Sequence, residues 1–143
     1  METKPGIDEA TRVLKLSHSA RYKYFIRKSV ETYTVYTINL GSNYLILNDP
    51  AGTSMCCPLW PAAVFAEIWL GPIGQGAGLQ IKTEVVQMEL DATLKTFLPA
   101  LKRRGLKVGI CLDQASDGRI ESVDKFIADI RREIQSGFSH SKP

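Results

Sequence analysis

Histidine is close to absent: the chain has two, His18 and His140, one near each end. No H-E-x-x-H, G-x-S-x-G or Walker pattern occurs. A His-based metal site or a Ser–His–Asp triad is therefore not expected, because positioned imidazoles need a rigid support. Cysteine is scarce as well. Cys56, Cys57 and Cys111 form an odd set without C-x-x-C spacing, which excludes a disulfide framework. Adjacent residues in a strand point to opposite faces, so Cys56 and Cys57 cannot act as a pair there. All three read as reduced, mostly buried thiols, inert without an electropositive neighbourhood. Long apolar runs are missing too. The uncharged stretch Pro50–Ala66 holds Pro50, Pro58 and Pro61 and falls short of a membrane span. Met1–Gly6 offers no apolar segment behind a basic start, the mark of a secretory signal. A soluble, cytoplasmic protein without cofactor, metal or membrane association is expected.

What is present is an ordinary globular composition. Hydrophobic residues make up 44% and charged residues 23% of 143 positions, which suits one folded domain. Charge is unevenly placed. Residues 1–30 carry seven basic and three acidic side chains, whereas between Thr32 and Ile81 only Asp49 and Glu67 are charged. So long a stretch with two charges is either the heart of a core or a surface meant to be covered.

Residues 1–18 hold Pro5 and Gly6 and lack a sustained apolar period, so they read as a loose arm, with room for a short helix over 9–16. A helix is expected from about Ser19 to Glu31, because Tyr22, Phe25, Ile26 and Val30 recur at helical spacing. Arg21, Lys23, Tyr24, Arg27 and Lys28 fall on the opposite arc and give it a basic outer face. Thr34–Leu40, the turn Gly41–Asn43 and Tyr44–Leu47 predict a β-hairpin. A third strand follows over Ser54–Leu59, with Pro58 marking an edge or an end. Pro61–Leu70 reads as a helix closed by Gly71. A short strand is placed within Ile81–Met88. Leu90, Leu94, Phe97, Leu98 and Leu101 form a helical stripe that Pro99 should kink or relax. Lys107–Leu112 is a strand, Asp117-Gly118 a turn, and Ser122 caps a last helix. The order α-β-β-β-α-(β)-α-β-α implies an α+β fold: a mostly antiparallel sheet of four to five strands with three to four packed helices. The domain spans 19–135, and 136–143 reads as a disordered tail.

Four segments are candidates for function. The first is Pro58–Gly78, where Trp60, Phe65, Trp69 and Ile73 are the residue types favoured as interface anchors. The second is the basic helix face, Arg21, Lys23, Arg27 and Lys28, which suits an acidic protein or, more weakly, nucleic acid. The third is the loop with Gly74, Gly76 and Gly78. It follows a helix and lacks the spacing of a phosphate cradle, so it reads as a linker or lid over a pocket, with Cys57, Gln75, Glu84 and Asp113 as polar candidates. The fourth is Asp113–Asp124, which partly mimics a calcium loop but has Ala115 and Asp124 at ligand positions three and twelve. A D-G turn with a serine cap accounts for the same letters.

Pro58-Leu59-Trp60-Pro61 with Phe65-Ala66, then Phe97-Leu98-Pro99 with Leu101 and Gly105, then the Val108–Leu112 strand leading to a Ser-capped helix, together resemble a bacterial family of small proteins catalogued as domain of unknown function 2750. The resemblance runs from about Ser19 to Ile134. It implies an α+β domain in a bacterial cytosolic setting and no catalytic residues. The reading that follows is a non-enzymatic module that binds another protein or itself as a homodimer, contacting through Trp60, Phe65, Trp69 and Ile73. Its rivals are a small-molecule binder or enzyme using a pocket under Gly71–Gly78, and a weak nucleic-acid binder using the first helix.

Overall fold

A computed structural model describes residues 5–48, 52, 54–71 and 82–140, with side chains through Ser136. The fold is α+β. In chain order, α1 (Ile7–Leu14), α2 (His18–Thr32), β1 (Thr34–Leu40), β2 (Asn43–Tyr44), β3 (Leu47–Asn48), β4 (Met55–Leu59) and α3 (Ala63–Leu70) come first. Then follow β5 (Thr83–Glu89), α4 (Leu90–Ala92), a π-helical turn (Thr93–Phe97), α5 (Leu98–Arg103), β6 (Lys107–Ile110), β7 (Arg119–Glu121) and α6 (Val123–His140).

The strands form two sheets where one was expected. The first has the order β2-β1-β5 and is antiparallel; the second has the order β3-β4-β6-β7, with β4 and β6 parallel. The hairpin predicted from Tyr44–Leu47 is cut to two residue pairs, Asn39 with Tyr44 and Leu40 with Asn43. The cause is competition for one strand edge. Tyr36 and Trp60 exchange backbone hydrogen bonds of 2.9 and 2.8 Å on the side of β1 away from β5. The chain must leave that edge after Leu45, whose N–H reaches the Ile38 carbonyl at 2.7 Å. It then starts β3 in the other sheet.

Pro58 is a second departure. It lies inside β4, a strand flanked by β3 and β6. Alternate residues of a strand turn their polar groups to opposite sides. Leu59 accepts from Cys111 on the β6 side at 2.9 Å, so Pro58 faces the other way. There β3 has already ended, its pairing confined to Met55 and Cys56, and the missing N–H breaks no ladder bond. The Thr37 hydroxyl donates to the Pro58 carbonyl at 2.9 Å.

Pro99 acts as expected. Lacking an N–H, it cannot bond the carbonyl four residues back, and the turn just before it widens into the π-helical segment Thr93–Phe97. The α6 helix opens on Ser122, whose hydroxyl accepts from the Lys125 N–H at 3.2 Å. It continues through His140, five residues into the expected tail. Ser17 likewise caps α2, accepting from Ala20 at 3.1 Å. The α2 helix ends at Tyr33, which takes a left-handed φ of 61° where glycine is the usual residue.

The core is one cluster centred on Trp60, Phe25, Phe65, Phe126, Ile110 and Leu98, all at most 1% exposed. Residues 7–14 belong to it and are no loose arm: α1 buries Ala10 and Val13. Its acid-rich first turn and basic last turn complement the helix dipole.

Candidate functional site: a cationic groove between two helices

The low-charge central stretch supplies core. Trp60 and Phe65 are both 0% exposed, which corrects their reading as contact residues: neither ring has a face for a partner. A large aromatic pair inside so small a domain is what the shortage of charge between Thr32 and Ile81 reflects. Trp60 donates from Nε1 to the Leu112 carbonyl at 3.0 Å and so ties β4 to the segment after β6. Trp69 is half-buried. Its ring lies 5.8 Å from that of Trp60, and its Nε1 donates to Ser116 Oγ at 3.0 Å. Ile73, Gly74, Gln75, Gly76 and Gly78 lie outside the described residues.

The other polar candidates do not converge. Cys57 is enclosed beside Thr37, and burial pushes its thiol up to about 12. Cys111 is equally enclosed and also pushed up to about 12 by burial. Glu84 stands exposed on β5 opposite Asn39. Asp113 uses one carboxylate oxygen to accept the N–H groups of Ala115 and Asp117, at 2.9 and 3.0 Å. That arrangement is an Asx turn. Among the described residues no group of three or more His, Cys, Asp or Glu side chains is gathered as a metal would require.

The basic helix face divides in two. Arg21 is 3% exposed and does not belong to the surface at all. Its guanidinium enters a cage of four carbonyls: Leu14 and Leu16 before α2, and Cys111 and Asp117 across the molecule, at 2.7–3.3 Å. The helical wheel misplaces it because an arginine stem is long enough to carry its charge around the helix. Lys28 is committed locally, bonded to Glu31 at 3.3 Å and lying over the Tyr24 ring. Lys23 and Arg27 remain exposed, and both face α6.

Together with α6 and β7 they line a groove of about 410 Å³. Five cations border it, Lys23, Arg27, Arg119, Lys125 and Arg132, against the two carboxylates Asp129 and Glu133. Tyr22 and Ile26 form its apolar floor. Tyr22 is fixed from three sides. Phe126 meets it edge-on at 6.5 Å, the Arg119 guanidinium lies 4.0 Å above its ring, and its hydroxyl donates to Asp129 at 2.6 Å. Burial and the neighbouring Asp129 hold the Tyr22 hydroxyl protonated by raising its pKa. Burial works against charge on Asp129. The Tyr22 hydroxyl, then Lys125 at 2.9 Å and Arg132, outweigh it and keep the carboxylate below its usual range. The acid in the groove is thus already neutralised by its own walls, and the groove presents net positive charge.

Sequence reading found Lys23 and Arg27 and missed Arg119, Lys125, Asp129 and Arg132. Lys125, Asp129 and Arg132 do carry a signal, the i, i+4, i+7 spacing of one helix face. Arg119 carries none, because it reaches the groove from a three-residue strand.

Among the described residues no helix is long and apolar enough to cross a membrane. The sequence model of the family described as Protein of unknown function (DUF2750) matches residues 22–130, which takes in Tyr22, Lys23, Ile26, Arg27, Arg119, Lys125 and Asp129 of the groove and stops before Arg132. No curated protein matches the chain.

Proposed function

The chain belongs to the DUF2750 family, and from that premise we propose that it is a non-catalytic binding module whose contact surface is the cationic groove between α2 and α6, taking an acidic protein segment. The supporting observation is the pairing pattern. The half-buried acid of the groove is saturated by three donors, while Lys23 and Arg27 have no carboxylate partner among the described residues. Unspent cations on a rigid helix pair attract an anionic partner and speed its arrival. The partner's class follows from the walls. Asp129 and Glu133 interrupt the positive field, and the Tyr22 ring is already covered by Arg119. A uniformly charged nucleic-acid backbone with bases to stack fits this poorly. An acidic peptide with interspersed apolar residues fits both the charges and the Tyr22–Ile26 floor.

The test is fluorescence anisotropy with a labelled glutamate-rich amphipathic peptide and a labelled single-stranded oligonucleotide, each across a salt series. Peptide binding that weakens with salt and falls about tenfold in a Lys23→Ala/Arg27→Ala double variant supports the proposal; tenfold corresponds to about 1.4 kcal/mol. Binding that ignores both substitutions, or an oligonucleotide bound more tightly than the peptide, overturns it.

A further inference from the structure

An open cavity of about 500 Å³ lies where α2 gives way to β1, a size that suits a small molecule. One wall comes from the β1–β5 ladder. Tyr36 spends its N–H and C=O on Trp60, away from β5, so Tyr36 and Gln87 form a non-hydrogen-bonded pair. Thr34 and Glu89, two residues along each strand, form another. Residues two apart share a face, and side chains in such pairs stand closest across the strands. Thr34, Tyr36, Gln87 and Glu89 are thereby gathered along the cavity, and Thr32 and Tyr33, at the end of α2, line it beside them.

The polar atoms here are set to accept. The Thr32 hydroxyl donates to the Lys28 carbonyl at 3.0 Å, so its 2.8 Å contact with Thr34 must use the Thr34 proton. Both hydroxyls then have only lone pairs left to offer. Glu89 is the one charged residue of the lining, is exposed, and has no ion-pair or side-chain hydrogen-bond partner among the described residues. The α2 helix ends here without a basic residue in its last turn, so nothing in that turn answers the negative end of its dipole. Tyr36 is 8% exposed, and its hydroxyl has no partner among the described residues. Tyr33 is 46% exposed although its left-handed φ disfavours a bulky side chain. Its N–H on the Ser29 carbonyl and its own carbonyl on the Leu90 N–H, at 2.9 Å, hold it there. An aromatic residue kept in a costly conformation without being buried is not explained by packing. We infer that this cavity binds a small primary ammonium compound, whose N–H groups are received by Glu89 and the Thr32 and Thr34 oxygens while the Tyr33 ring covers it. An anion would meet lone pairs and a carboxylate with no cation beside them. The whole chain carries a net +3, so a cation that binds is selected by the cavity and not by the overall field. The cavity shares no lining residue with the α2–α6 groove, and either reading can fail alone.

Amide NMR shifts of the isotope-labelled full chain test this, in titrations with benzylammonium chloride, benzyl alcohol and sodium benzoate. The three probes are close in size and differ in charge. Benzylammonium should move the amides of 32–36 and 87–90 saturably, and the other two should leave them in place at the same concentration. Glu89→Gln keeps the shape of the side chain and removes its charge; it should weaken benzylammonium by about tenfold or more. Tyr33→Gly should also weaken it, while the urea midpoint stays level or rises, because glycine adopts the left-handed backbone without strain. A Tyr33 that served the fold alone would do the reverse, lowering the midpoint and sparing the binding. Absence of saturable shifts overturns the inference. So does benzyl alcohol or benzoate binding as tightly as benzylammonium, or an affinity that survives either substitution.

Discussion

Two residues were readable by type but not by role. Asp117-Gly118 signals a turn, and the turn is there. The letters do not reveal that Gly118 is buried, with space for no side chain. A Cβ there would lie 2.7 Å from Leu112 Cδ2 and 2.9 Å from the Ile110 carbonyl oxygen. The second contact is with backbone and cannot yield cheaply. Gly118→Ala should therefore destabilise the fold by about 1–3 kcal/mol, the usual cost of overpacking a filled site, read as a lower urea midpoint at unchanged slope. An unchanged midpoint would mean that the β6–β7 turn can shift as a unit. Arg21 is the opposite case. Its letter says charge and surface, and its spacing agrees, yet its head is interior. No pattern within α2 could show that, because the four carbonyls that hold it belong to other elements.

At the scale of elements, periodicity carried most of the information. The helices α2, α3 and α6 and the strands β1, β4, β5 and β6 stand within a few residues of where apolar spacing puts them. What periodicity cannot encode is which strand edge is already occupied, and the Tyr36–Trp60 bridge decided the split into two sheets. The α2–α6 seam shows the same division. Each helix face is legible by itself, but the groove exists only because the faces meet. Its acid makes stability depend on pH with a definite sign. Asp129 has a folded-state pKa below its unfolded one, so its contribution is complete above the ordinary aspartate range near 3.9 and is lost as pH falls through and below it. Urea midpoints measured from pH 6 down to pH 2.5 should fall more steeply for the wild type than for Asp129→Asn. Parallel curves would show that Tyr22, Lys125 and Arg132 do not favour the carboxylate over the amide.

For the whole molecule, the Arg21 cage joins the ends of the domain. It clamps the turn between α1 and α2 to the segment that leaves β6, and the His18–Asp117 contact of 2.9 Å adds an exposed strap beside it. Arg21→Met keeps the stem and strips four carbonyls of their donor. Unsatisfied buried groups cost about 1–3 kcal/mol each, partly recovered by water, so a loss of about 2–4 kcal/mol is expected. Hydrogen exchange should show the amides of 7–14 unprotected before any others. Uniform loss of protection would make the cage a general stabiliser rather than a clamp. The cage also bears on how the chain is made. Its carbonyls from Cys111 and Asp117 lie 90 and 96 residues downstream of Arg21. On the ribosome α1 and α2 are finished long before this anchorage exists, so the turn between them is among the last parts of the domain to be locked. Until then α1 can lie only against α2 and α3, and a chaperone meeting the nascent chain would find that corner of the fold still unclamped.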